Sequence, residues 1–179
     1  RRLNSASFCV RVMRVMCRNA FSNSCRLMGQ RRISYSACHR KHERENYDTV
    51  AACDHMKVAL EQLDRQAELC LWEDRPEVCR QSQPVMGELD QNLRFQQGNV
   101  TIPGEQELTD RLTESWKGYS RDLENFYQLS NLSERREFYR RRLLPRSQEV
   151  REAAQKIIEL NLNNMVAADG QAQQRAAQT

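Results

Sequence analysis

From Cys53 to Cys70, apolar and small side chains recur at alternating steps of three and four: Cys53, Met56, Leu60, Leu63, Ala67 and Cys70. That spacing gathers them on one stripe of an α-helix but scatters them over both faces of a strand. Lys57, Glu61, Gln62 and Asp64 fall on the other faces, so the pattern is a coiled-coil-like seam on a long amphipathic helix. Similar stripes follow. Val78, Ser82, Val85, Leu89 and Leu93 form one, and Leu108, Leu112, Trp116, Leu123, Phe126 and Tyr127 another. Val150, Ala154, Ile157, Ile158, Leu160 and Met165 supply a last. Only 6 Gly and 4 Pro are spread over 179 residues, too little turn chemistry for a strand-rich sandwich. The fold class expected is all-α: a long helical hairpin and C-terminal helices, with an extended basic N-terminal arm.

Breakers set the expected boundaries. The organisation reads as a basic transit-like arm and linker (1–42), a helical hairpin (43–97), a C-terminal helical region (98–168) and a flexible Gln/Ala tail (169–179). The first hairpin helix should stop near Asp74, because Pro76 disfavours α geometry in the residue before it. Pro76 itself suits the first turn of the next helix. Pro84 and Gly87 predict a kink or short break there. QGNVTIPG (97–104) reads as a loop, with a helix from about Glu107. Ser133 is the expected N-cap of a helix that ends before Pro145, and a final helix is expected after Ser147. Hydrophobic content of 39% against 29% charged implies a thin core. The apolar stripes are therefore expected to dock on neighbouring subunits.

Charge is distributed unevenly. Residues 1–42 hold ten Lys or Arg and no Asp or Glu; residues 43–179 hold 18 basic and 24 acidic side chains. Over 7–28, Arg11, Arg14 and Arg18 share one helical stripe, with Phe8, Val12, Val15, Met16 and Phe21 away from it. A cationic amphipathic helix without acids has the character of a mitochondrial transit segment. Residues 31–36, RRISYS, resemble a matrix-processing site. The arm is expected either to be removed as a presequence or to stay and work in the mature protein. No apolar run approaches the roughly 20 residues that span a bilayer.

The residue types that carry chemistry point to contact rather than turnover. Arg135, Arg136, Arg140, Arg141, Arg142 and Arg146 crowd one short segment around Phe138 and Tyr139. Such a cluster suits RNA phosphates, with an Arg or Tyr stacking on an exposed base. The alternative is pairing with Glu134, Glu137 and acids on other helices. Cys70 and Cys79 flank the hairpin turn and could form a disulfide, or remain two semi-buried thiols in a reducing matrix. With eight residues between them and no second pair, they only loosely resemble the paired-cysteine hairpins of the mitochondrial intermembrane space. Cys38, His39, His42, Cys53 and His55 lie near one another but match no zinc template, so no metal is expected. The three His and the helical pattern offer no nucleotide loop and no zinc-protease motif. No enzyme, no cofactor and no small-molecule substrate are expected.

These expectations converge on a non-catalytic structural subunit of a large mitochondrial assembly. The ribosome comes first, with rRNA met by the basic segments and protein subunits by the helical faces. The alternative is an accessory subunit of a respiratory-chain complex or ATP synthase, with peripheral contact at the inner membrane. Localisation is expected in the mitochondrial matrix or at the inner membrane.

Overall fold

A computed structural model describes the backbone of residues 31–72 and 76–178, and the side chains of 44–72 and 81–178. The chain divides into two units at residues 40 and 41, and every described side chain belongs to the second. The elements are α1 (Arg31–Leu69), α2 (Pro76–Gly98), α3 (Glu105–Gln128), α4 (Leu132–Phe138), a π-helical turn (Tyr139–Leu143) and α5 (Leu144–Ala177). Among the described residues there is no strand, and no helix is long and apolar enough to cross a membrane.

Hydrogen bonds between helices fix their directions. Asn99 donates to Thr49 (2.9 Å) while Ser82 donates to Gln66 (2.7 Å), so α1 and α2 run antiparallel as the expected hairpin. Gln97 meets Thr113 at one end of the α2–α3 pair, and Ser82 meets Tyr127 at the other. Between them the Trp116 indole donates to Asp90 (2.7 Å). Asn161 bonds Glu105, and Arg146 lies beside Asp122, so α5 runs back along α3. Lys57 donates to Gln155 and Arg151 to Asp64, which closes α5 against α1. The result is an up-down-up-down four-helix bundle.

The stripes read from the sequence face one another inside this bundle. Cys53, Met56, Leu60, Leu63, Ala67 and Cys70 are all buried, with Leu89 and Leu93 from α2 and Leu112, Trp116, Leu123 and Phe126 from α3. Val150, Ala154, Ile157 and Ile158 complete the core from α5. A fully buried Leu or Phe contributes about 1.5–3 kcal/mol. These apolar stripes, expected to dock on neighbouring subunits, pack against one another within the chain in this bundle.

Several boundaries also differ from expectation. The linker expected up to His42 is helical from Arg31, since no Gly or Pro interrupts residues 31–69. α2 runs unbroken through Pro84 and Gly87. Both residues are exposed, so neither has to fit a packed core. The expected stop before Pro145 is absent. Proline cannot bond the carbonyl four residues back, and its ring would strike it. The chain instead widens by one residue, with the Leu144 N–H reaching the Tyr139 carbonyl, and the helix continues. The tail is helical to Ala177, although none of its side chains beyond Asp169 is buried.

The N-cap of α4 is Asn131, not Ser133. Its Oδ1 accepts from the backbone N–H of Ser133 (2.8 Å) and Glu134 (3.3 Å). Asn131→Ala is expected to cost about 1 kcal/mol. Ser133→Ala should leave the urea midpoint unchanged, and equal losses in the two variants would contradict this cap.

Candidate nucleic-acid interface

Asn131 starts the segment that carries the arginine cluster, and the structure separates the cluster into different roles. Arg135 is buried. Its Nε donates to the Leu129 carbonyl (3.0 Å) and its Nη1 to the Cys70 carbonyl (3.1 Å). Those carbonyls lie just past the C-terminal ends of α3 and α1. A cation there satisfies carbonyls that helix geometry leaves open and meets the negative ends of two helix dipoles. Arg135 is therefore a structural tie between helix ends.

Arg136, one residue on, faces outward. Its Nε donates to the Leu71 carbonyl (3.3 Å), and its guanidinium lies 5.7 Å from the centre of the Trp72 ring. Trp72 is 76% exposed, the most exposed large hydrophobic residue described. Arg140 follows one turn further along and is exposed. Arg141 pairs with Glu137 at 3.2 Å in a solvent-facing i,i+4 contact, worth a few tenths of a kcal/mol at most.

Arg142 and Arg146 converge on Asp122 of α3, each at 3.7 Å, too long for a hydrogen bond. The Asp122 side chain is only 7% exposed, whereas both arginines reach solvent. Arg146 also bonds Glu149 at 2.8 Å, which holds its proton more tightly than usual. Its guanidinium crosses α3 at Gly118, 3.5 Å from where a Cβ would stand. That is ordinary van der Waals distance, so Gly118 makes the crossing easy without being obligatory.

The aromatic residues do not sit as the sequence suggested. Tyr139 is buried and Phe138 partly so. The Tyr139 hydroxyl donates to Glu68 (3.0 Å), and burial together with this carboxylate pushes its pKa up. It is not available to stack on a base. Trp72 is the aromatic that lies in the open beside the cluster. Sequence spacing offered no route to it, because 64 positions separate it from Arg136.

Arg11, Arg14 and Arg18 lie outside the described residues. So does the side chain of Cys79, and with it the pairing proposed for Cys70, which is itself buried. The side chains of Cys38, His39 and His42 also fall outside. Cys53 is buried in the core, and burial first, then Glu105 and Asp54, push its thiol up to about 12, against the pull of Lys57. His55 is exposed on another side of the same helix. Among the described residues no group of three or more His, Cys, Asp or Glu side chains is placed to hold a metal.

The outer side of α4 and the π-helical turn thus carries exposed Arg136, Arg140, Arg141 and Arg142 with Glu134 and Glu137 among them and an indole at its edge, mounted on an antiparallel four-helix bundle. No protein-family model matches the chain, and no curated protein or solved structure matches it.

Proposed function

We propose that the chain is a non-catalytic structural subunit of a large mitochondrial assembly, with the ribosome as the leading identity and rRNA as a direct contact. The observation that carries this is the run Arg140, Arg141 and Arg142, three consecutive exposed guanidinium side chains on a helical turn. Consecutive positions fan around the helix, so one carboxylate cannot neutralise all three. Among the described residues, Glu137 lies 3.2 Å from Arg141 and Asp122 3.7 Å from Arg142. A polyanion with regularly spaced phosphates matches this fan better than a single acidic side chain does. The acid-free first 42 residues, with ten Lys or Arg, support both the address and the partner.

The test is co-sedimentation of the tagged full chain with ribosomal particles across a salt series. The triple variant R140A/R141A/R142A should bind several-fold more weakly. Its salt dependence should be shallower, by up to about 0.9 for each phosphate that no arginine neutralises any more. Arg135 is left intact, because its removal would uncap two helices and confuse folding with binding. Undiminished co-sedimentation of a folded triple variant would remove rRNA from the account.

The accessory-subunit alternative is favoured by the acidic balance of residues 43–179, 18 basic against 24 acidic side chains. An open groove lined by Arg44, Tyr47, Met165, Val166 and Asp169 offers such a neighbour an apolar foothold. Native isolation followed by mass spectrometry of the partners decides between the two identities.

A further inference from the structure

Trp72 is left in water at the end of α1, 76% exposed, in a protein that buries Trp116 to 4%. An indole in that position costs solubility and contributes little to the fold. One of its neighbours is the Arg136 guanidinium, 5.7 Å from the ring centre. Arg136 is held in turn by the Leu71 carbonyl at 3.3 Å, so the cation is anchored on the same chain segment as the ring. Arg140 stands one turn beyond Arg136 on the adjoining surface, also exposed.

We propose that Trp72, Arg136 and Arg140 form a binding platform for an unpaired RNA nucleotide, with the base stacked on the indole and the phosphates met by the two guanidinium groups. This rests on the rRNA contact proposed above and specifies its form: a single-stranded segment rather than a duplex. A free aromatic face accepts any base, because every base has a π-face. In a duplex the bases are already stacked, and A-form geometry shows a protein mainly phosphates and 2′-hydroxyls. Arginine fits the second role because its planar group stacks and bonds phosphate at once, where lysine offers only a point charge. Glu73 and Asp74 follow the indole in sequence. Their charge opposes phosphate but not stacking, so Glu73→Gln with Asp74→Asn should strengthen binding.

A protein partner could also use an exposed Trp beside Arg, a pairing common at interface centres. The exposed Arg136 and Arg140, with Arg141 and Arg142 next along the turn, favour the nucleotide, and the experiment separates the two. Binding of the full chain to labelled ten-nucleotide adenosine and uridine strands, and to a duplex of equal length, is measured by fluorescence anisotropy across a salt series. Trp72→Ala should weaken single-strand binding about tenfold or more, leave duplex binding within about twofold, and keep the salt slope. Trp72→Phe should recover part of the loss, and Arg136→Lys should lose affinity despite keeping its charge. Adenosine should bind more tightly than uridine, and its stacking should quench indole emission in the wild type but not in Trp72→Ala.

The platform is overturned if Trp72→Ala binds single strands as the wild type does, or loses single-strand and duplex binding equally. If that happens while the chain still co-sediments with ribosomal particles, only the platform falls. Absence of any RNA binding by the wild type removes the platform and the rRNA contact together. Loss of a protein partner on Trp72→Ala, with RNA binding unchanged, assigns the surface to that protein instead.

Discussion

Replacing Glu105 by Gln should destabilise the bundle by about 3 kcal/mol, nearly as much as replacing it by Ala. Glu105 is fully buried at the first position of α3. One carboxylate oxygen accepts from the side-chain amides of Gln96 (3.1 Å) and Asn161 (3.0 Å). The other accepts from the backbone N–H of Thr101 (2.8 Å) and Ile102 (3.2 Å). Four donors thus converge on two oxygens, from α2, α5 and the loop between α2 and α3. A carboxylate is an acceptor at both atoms, and the helix N-terminus favours its charge. A glutamine must place an NH₂ against one pair of those donors, whichever way it is turned. The neighbours cannot easily adapt. Asn161 also donates to the Ile157 carbonyl, which can only accept, so its amide is already oriented, and the Thr101 and Ile102 N–H groups are fixed by the backbone. Urea unfolding checks this, and a Glu105→Gln variant within about 1 kcal/mol of wild type would show that the loop relaxes around the amide.

Asp64 should behave differently, although it too links three helices. Its carboxylate accepts from Tyr119 (2.9 Å) on α3, and from Ser147 and Arg151 (3.0 Å) on α5. Asp64→Ala strands the buried Tyr119 and Ser147 hydroxyls and should cost about 3 kcal/mol. Asp64→Asn should cost about 1 kcal/mol or less. Its carbonyl can still accept from Tyr119, its amide can donate to the Ser147 oxygen, and Arg151 can turn into solvent. Glu105 and Asp64 thus separate an acceptor-only site from one that tolerates a donor.

The pH dependence at Asp64 follows from its surroundings. Burial pushes its carboxyl up, and hydrogen bonds from Ser147 and Tyr119 with the charge of Arg151 only partly offset this. The folded state therefore binds the Asp64 proton more tightly than the unfolded chain does. That contribution is complete below the unfolded pKa and is lost as pH rises through the higher folded value. Relative to Asp64→Asn, the wild type should gain stability on acidification across this window. A difference that is flat with pH, or that grows with rising pH, would place the Asp64 carboxyl at or below its ordinary value.

Much of the bundle was legible in the chain. The step of three and four from Cys53 to Cys70 named buried positions on α1, and Leu112, Trp116, Leu123 and Phe126 did the same for α3. Pro76 marked the start of α2. Pro145 misled because its cost can be absorbed by a π-helical turn, an adjustment no local pattern announces. Ser133 misled because a cap is chosen by where the backbone leaves helical geometry, and here that is Asn131. Tyr119 escaped the stripe reading although it is fully buried; its hydroxyl is accommodated only because Asp64 waits on another helix.

The arginine cluster shows the same division between local and distant causes. Composition alone shows that six arginines crowd 135–146, and charge alone makes such a segment attractive to phosphate. Which groups of the protein each of them meets depends on partners far away in sequence: Cys70 and Leu71 for Arg135 and Arg136, Asp122 for Arg142 and Arg146, and of these four only Arg135 is buried. Side-chain period decides which faces of a helix are apolar, because it acts through nearest neighbours on one element. The meeting of Glu105 with Asn161, of Asp64 with Ser147 and of Arg136 with Trp72 needs the helices docked, because a hydrogen bond or stacking contact requires ångström-scale placement of groups far apart along the chain.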